Sequence, residues 1–185
     1  MNASQNSTHY FLTTPRLGFR RWTDDDLPLA RALWGDPRVT ALIGGPFSDA
    51  AVVERLRAQV ESDLQYWPIF ILGDGTHAGC CGLRPYDGDT LEIGFHLRPE
   101  QWGRGFGEEA ARAIVDYAFD RCGARRLFAG HHPQNGASRR LLLKLNFEEI
   151  EPRFYAPTGL LHPSYLLTKR SSRDSRAPAA RDQKC

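Results

Sequence analysis

Sulfur is scarce in this sequence: four cysteines (Cys80, Cys81, Cys122 and Cys185) and one methionine in 185 residues. No two cysteines form a C-x-x-C pair, so the pattern of a zinc framework or of a disulfide-stapled secreted domain is missing. Scattered thiols of this kind read as core, helical and terminal residues in a reducing compartment. Long apolar runs are missing too, with nothing near the roughly 20 residues of a membrane-spanning helix. Met1 to Thr14 is polar and lacks the basic, apolar and small-residue blocks of a signal peptide. The expectation is a soluble, cytoplasmic chain with no membrane partner. A surplus of one charge is also lacking. The 24 Lys+Arg stand against 22 Asp+Glu, a net charge of +2. Residues 171–185 hold Arg173, Arg176, Arg181 and Lys184 against Asp174 and Asp182, which leaves 20 against 20 over residues 1–170. A neutral body excludes a basic face for nucleic-acid phosphates, so no nucleic-acid partner is expected.

What is present is an ordinary globular composition, 41% hydrophobic and 25% charged, long enough for one self-sufficient core. Residues 1–13 are expected to be a flexible N-terminus, 14–170 the folded domain and 171–185 a disordered basic tail. Leu17, Phe19 and Arg21 alternate as in a first strand. Thr23 and Asp24 to Asp26 then cap a helix over Leu27 to Trp34. Val52, Val53, Leu56, Val60 and Leu64 recur at helical spacing behind a Ser48 or Asp49 cap. Three short apolar runs follow, Ile69 to Leu72, His77 to Arg84 and Leu91 to Arg98, punctuated by Gly-Asp-Gly and Asp-Gly-Asp turns. Phe106, Ala110, Ile114, Ala118 and Cys122 mark a long amphipathic helix. A strand over Arg126 to Gly130, a helix over Ala137 to Leu145, and strands over Phe147 to Phe154 and Ser164 to Lys169 complete an α/β domain with a mixed sheet.

The chemistry concentrates in Glu92 to Ala111, EIGFHLRPEQWGRGFGEEAA. A strand ends near Arg98-Pro99, and Gly103, Gly105 and Gly107 then open the long helix. Glycines let a ligand approach the backbone, and amides at a helix N-terminus bind phosphate oxygens. A P-loop would need Gly-Lys-Ser/Thr where Glu108-Glu109 stand. A dinucleotide fingerprint would need a third glycine at Glu108, and the strand ending at Gly130-His131 lacks the acidic residue for a ribose.

Trp102-Gly103-Arg104-Gly105-Phe106-Gly107 instead resembles the pyrophosphate loop of the GNAT superfamily of N-acetyltransferases, (Gln/Arg)-x-x-Gly-x-(Gly/Ala), with Trp102 at the Gln/Arg position. The run Trp102 to Ala110 is similar to the RimJ/RimL-like, ribosomal-protein-acetylating branch. So are Thr14-Pro15-Arg16-Leu17, Arg20-Arg21-Trp22, Asp36-Pro37-Arg38-Val39 and Pro133 to Phe147 (PQNGASRRLLLKLNF). The resemblance spans about residues 13–169 in family order. It implies a single-domain GNAT fold: a mixed, mostly antiparallel twisted sheet flanked by helices, with a splayed central strand pair holding acetyl-CoA.

The resemblance also implies a site. Acetyl-CoA, the acyl donor, would lie against Phe95, His96, Leu97, Gly103, Arg104, Gly105, Phe106, Gly107, Glu108, Asn135 and Ser138. The Leu97 amide would hold the thioester carbonyl. Glu92 matches a family base, and Ser138 a proton donor to the departing thiolate. Asn135 and Ser138 also read as the cap and first turn of a helix. Two departures stand out: Asn146 replaces the glycine of L-G-F, in a left-handed turn that Asn tolerates, and Leu142 stands where some members carry a tyrosine acid. A metal site at His131 or His132 would need convergence with His96 or His162, which spacing cannot establish, and no metal is expected.

The implied function is acetyl transfer to a primary amine by direct attack, the acceptor being a protein N-terminal α-amine. Alternatives are a small amine (polyamine, amino acid or aminoglycoside-like), a non-catalytic CoA-binding sensor, or an interaction domain that binds no CoA. A cationic acceptor would use the acidic clusters Asp24 to Asp26 and Glu148 to Glu151. A homodimer is a further possible partner arrangement.

Overall fold

In the computed structural model, which describes residues 9–169, the alternating segments assemble into one eight-stranded sheet. The strands are β1 (Leu12–Thr13), β2 (Leu17–Phe19), β3 (Tyr66–Ile71), β4 (His77–Asp87), β5 (Thr90–Leu97), β6 (Arg126–Gly130), β7 (Glu148–Tyr155) and β8 (Leu160–Thr168). They lie in the order β1-β2-β3-β4-β5-β6-β8-β7. Neighbours are antiparallel except β5 and β6, which run parallel. Helices α1 (Leu27–Trp34), α2 (Pro37–Thr40) and α3 (Asp49–Glu61) intervene between β2 and β3. Helix α4 (Phe106–Asp120) forms the β5-to-β6 crossover, which parallel strands require, and α5 (Gly136–Lys144) follows β6. Short 3-10 turns cover Asp24–Asp26 and Pro99–Gln101.

The two faces of the sheet have separate cores. On one, Ile93 of β5 joins Phe106, Ala110 and Ile114 of α4, with Phe95 and Leu97 packed alongside. On the other, Tyr66 and Cys80 meet Trp34 of α1 and Val52 and Leu56 of α3. Period-2 alternation along β5 therefore sends odd-numbered side chains to α4 and even-numbered ones, Glu92 and His96 among them, toward α1 and α3.

The structure extends the sequence-based elements in several places. Leu12 and Thr13, expected ahead of the domain, pair with Phe19 and Gly18. The ordered body therefore begins within the segment assigned to a flexible N-terminus; residues 1–8 and the tail 171–185 lie outside the described residues. Strands β3 and β4 run through Pro68 and Pro85. Helix α5 ends as foreseen: Asn146 has φ 64°. The Phe147 amide donates to the Leu142 carbonyl at 3.0 Å and the Asn146 amide to Leu143 at 3.0 Å. That is a Schellman cap, and its apolar contact is between Leu142 and Phe147, both buried.

Of the acidic turn, Asp24 and Asp25 are exposed, whereas Asp26 is buried and neutralised. Asp26 accepts Arg20 Nη1 and Nη2 at 2.6 and 2.7 Å and the Thr23 amide at 2.9 Å. Burial raises its carboxyl, but the Arg20 fork and the Thr23 contacts outweigh that and hold it below the usual range.

Candidate active site

Strands β5 and β6 pair only through Thr90, Leu91 and Glu92, opposite Arg126, Leu127 and Phe128. Beyond Glu92 they part, while β5 stays paired to β4 as far as Leu97. The Arg98 amide donates to the Ala78 carbonyl at 3.0 Å. Alternation along an antiparallel ladder then turns the amides of Phe95 and Leu97 away from β4, toward the side that β6 has left. Two main-chain donors thus point into the splay. His96 does not join them. Its amide faces β4, and its side chain lies on the opposite face beside Trp34.

The glycine loop is built onto the end of that strand. The indole Nε1 of Trp102 donates to the Leu97 carbonyl at 2.9 Å, with the ring half-exposed. Arg104 donates to Gln101 Oε1 at 2.6 Å, and Arg16 Nη1 donates to the Arg104 carbonyl at 3.0 Å. Both guanidiniums lie over the buried Phe106 ring, at 4.6 Å (Arg16) and 4.9 Å (Arg104) from its centroid. Glu109 fixes Arg16 in turn, accepting from its Nε at 2.6 Å. Gly103 and Gly105 hold φ of 72° and 79°, and Gly105 is the N-cap of α4. A Cβ at Gly103 would meet nothing within 4 Å, and one at Gly105 only the Arg16 side chain at 3.4 Å. The loop therefore leaves open space where phosphate oxygens could approach its amides. The Glu108 carboxylate is engaged by Lys144 at 2.6 Å and Arg112 at 3.2 Å, which neutralises it and ties α5 to α4.

On the β6 side, Asn135 caps α5, its Oδ1 accepting the Ser138 amide at 3.0 Å. The cap uses one Asn135 atom and the Ser138 main chain, so the Asn135 amide nitrogen and Ser138 hydroxyl have no protein partner among the described residues. Leu142 is 1% exposed and belongs to the core. His131 contacts Tyr165 Oη at 3.3 Å and His162 contacts Thr158 Oγ1 at 2.8 Å. Among the described residues no three His, Cys, Asp or Glu side chains are arranged to hold a metal ion.

The α1/α3 face of β5 presents a polar row. Glu92 accepts Arg84 Nη2 at 2.7 and 2.8 Å and Tyr66 Oη at 3.5 Å. Arg84 is directly cross-strand from Glu92. Burial, with the Glu92 charge next, pushes the Tyr66 phenol up, so it remains a donor. Trp34 Nε1 donates to His96 Nδ1 at 3.2 Å. Burial, aided by the Arg55 and Arg84 charges, lowers His96 to about 3. The imidazole is thus neutral with its proton on Nε2, a hydrogen-bond donor and not a base.

These features, a sheet splayed beside a glycine loop that starts a helix, meet a direct comparison. The family profile described as "Acetyltransferase (GNAT) domain" matches residues 16–148. The chain belongs to the GNAT acetyltransferase family. It is an acetyl-CoA-dependent N-acetyltransferase, an enzyme that moves an acetyl group to an amine. Among similar GNAT proteins, the uncharacterized N-acetyltransferase p20 of Bacillus licheniformis is 29% identical over 146 residues, 75% of this chain and 82% of p20. The protein YkkB of Bacillus subtilis is 30% identical over 142 residues, 72% and 83% of the two chains. A GNAT-family acetyltransferase structure from Bacillus anthracis superposes with a TM-score of 0.74 at 23% identity, covering 84% of this chain and 95% of that one.

Within the GNAT frame, the positions singled out in sequence fall into two groups. Leu97 and the 103–108 loop adjoin at the end of β5, with Phe95 on the same face, while Asn135 and Ser138 lie at the N-cap and first turn of α5, after β6. Glu92 and His96 occupy the other face. Sequence reasoning missed Arg84 and Arg55, and gave Trp34 and Tyr66 only the core role that they keep. Of these only Arg84 had a signal, since a hairpin with the Asp-Gly-Asp turn at residues 87–89 sets it opposite Glu92.

Proposed function

We propose that the enzyme acetylates a primary α-amine, in the manner of the RimJ/RimL-like branch, by direct attack of the amine on the acetyl-CoA thioester in a ternary complex. The observation that carries this reading is the splay beyond Glu92, which leaves the Phe95 and Leu97 amides side by side and unpaired by β6, next to the glycine loop. There the Leu97 amide would hold the thioester oxygen as charge grows on it, an interaction of about 3 kcal/mol for such donors. Amides 103–108, with Arg104, would take the pyrophosphate, and Asn135 Nδ2 and Ser138 Oγ would face the pantetheine arm.

The substrate ammonium first loses a proton by way of water toward Glu92. The neutral amine nitrogen then bonds to the carbonyl carbon, the C–S bond breaks, and the sulfur leaves as thiolate; the second proton that nitrogen sheds balances the one the thiolate takes up from Ser138 or water. A covalent acyl-enzyme is disfavoured: Cys80 and Cys81 are fully buried, and burial pushes the Cys80 thiol up to about 12. The N-terminal-amine reading draws support from a neighbour described as a candidate ribosomal-protein-serine acetyltransferase from Vibrio cholerae, with a TM-score of 0.70 and 19% identity over 85% of this chain. The free thiols suit a cytoplasmic setting.

The test is acetyl-CoA-dependent thiol release with a panel of N-terminal peptides, amino acids, polyamines and aminoglycosides. Peptides with a free N-terminus should lead, and N-capped controls should be silent. Turnover confined to polyamines or aminoglycosides would overturn the α-amine reading. Tight acetyl-CoA binding with no turnover on any amine would favour a sensor.

A further inference from the structure

The arginines that border the α1/α3 face are matched to carboxylates, with one exception. Arg20 is paired with Asp26, Arg31 with Asp49, Arg38 with Asp36 and Arg84 with Glu92. Arg55 of α3 has neither an ion-pair partner nor a hydrogen bond among the described residues, and its Nε is buried without an acceptor. It is held instead between two rings, its guanidinium carbon 5.2 Å from the Trp34 ring centroid and 5.1 Å from that of Phe47. The same Trp34 donates to His96, the residue beside Leu97. After the larger effect of burial, the Arg55 charge acts on His96 and Cys80, and more weakly on Tyr66. A rigid, unneutralised guanidinium therefore lies two side chains from the amide that faces the splay. Its planar fork suits a carboxylate, which would satisfy donors the protein leaves free. An unmatched cation on this face opposes a polycationic acceptor.

We propose that Arg55 is an acceptor-recognition residue that binds a carboxylate on the amine being acetylated. This rests on the reading above, in which the acceptor's proton passes toward Glu92, so that the acceptor approaches over that face. The carboxylate is either that of a free amino acid or the acidic side chain of a peptide's second residue.

The test compares matched acceptors by thiol release: an α-amino acid against its carboxamide, and a Ser-Glu peptide amide against its Ser-Gln counterpart. Wild type should prefer the carboxylate member of one pair, and which pair responds identifies the source. Arg55→Met should lower kcat/KM for that acceptor about 10- to 100-fold, chiefly through KM. The uncharged member and acetyl-CoA affinity should be unaffected, and Arg55→Lys should restore part of the loss. Equal losses on both members, or no carboxylate preference in wild type, would overturn the proposal. If acetyl-CoA binds but no amine turns over, the acceptor reading fails by itself. Calorimetry of the same carboxylates with the acetyl-CoA complex then decides: binding to wild type but not to Arg55→Met supports the assignment, and equal binding to both, or to neither, removes it.

Discussion

The indole nitrogen of Trp102 donates to the main-chain carbonyl of Leu97 at 2.9 Å. The next amide, Arg98, donates to Ala78 at 3.0 Å, so the Leu97–Arg98 peptide is held at both ends. That fixes the end of β5 and with it the direction of the Leu97 amide. Tryptophan at the loop's first position thus has a physical role: its donor ties the glycine loop to the strand whose amides it must stay in register with.

Trp102→Phe keeps an aromatic ring and deletes the donor. One neutral hydrogen bond is worth about 1 kcal/mol, so turnover should fall about 3- to 10-fold while the fold and its melting temperature hardly change. Steady-state kinetics and a melting curve check this. Unchanged kcat and KM would mean that the peptide is held without Trp102.

Gly105→Val tests the donor site. Gly105 is left-handed at φ 79°, so a β-branched residue adds backbone strain of about 1–2 kcal/mol as well as bulk beside the loop amides. Acetyl-CoA affinity should drop at least 10-fold in a protein that still folds, with a melting point a few degrees lower. Calorimetry giving wild-type affinity for a folded Gly105→Val protein would move the pyrophosphate elsewhere.

The order of strands and helices was legible because each long element keeps its period, and the glycine loop because its residue types match a ligand chemistry. Strand ends were not. The sequence suggests that β3 starts after Pro68 and β4 stops before Pro85, since proline cannot donate to a ladder. In the fold, Pro68 lies opposite Arg20, just past the end of β2, where its carbonyl still accepts the Arg20 amide at 3.5 Å and only its own donor is missing. The missing Pro85 amide faces β3 beyond its start, where the strand offers no partner. The row around His96 was hidden for another reason. Trp34 reaches His96, and Arg55 reaches Trp34, from helices far away in sequence, and no local pattern reports such contacts.

His77 is 4% exposed, and both its ring nitrogens lack a hydrogen-bond partner among the described residues. Burial, with the Arg98 charge next, lowers it to about 4. Above its unfolded value near 6.5 both states are neutral. As pH falls from about 6.5 to about 4 the unfolded chain takes up a proton that the folded chain refuses, so stability declines, by about 3 kcal/mol in all. His77→Phe keeps the ring contacts with Trp22 and Phe70 and removes the titration. Urea midpoints between pH 7.5 and 4.5 should fall less steeply in the variant, with His96 supplying much of the remaining slope. Parallel slopes in the two proteins would show that His77 is not the group responsible.

Glu92 gives the sharpest test of mechanism. At pH 7 an α-amine of pKa about 7.8 needs about 1 kcal/mol to lose its proton, and a lysine amine near 10.4 about 4.6. The Glu92 carboxylate, with both oxygens held by Arg84, is a mild acceptor suited to an α-amine through water and poorly suited to a lysine. His96 offers no substitute, since its Nδ1 is occupied by Trp34. Glu92→Gln should lower turnover at pH 7 by about two to four orders of magnitude and leave acetyl-CoA affinity nearly intact. The deficit should narrow as pH rises toward 9, because more acceptor arrives already neutral. The profiles of both proteins are to be recorded with one acceptor, after acetyl-CoA binding is verified. Parallel profiles with nearly equal turnover in wild type and Glu92→Gln would take Glu92 out of the reaction and leave bulk water as the proton's destination.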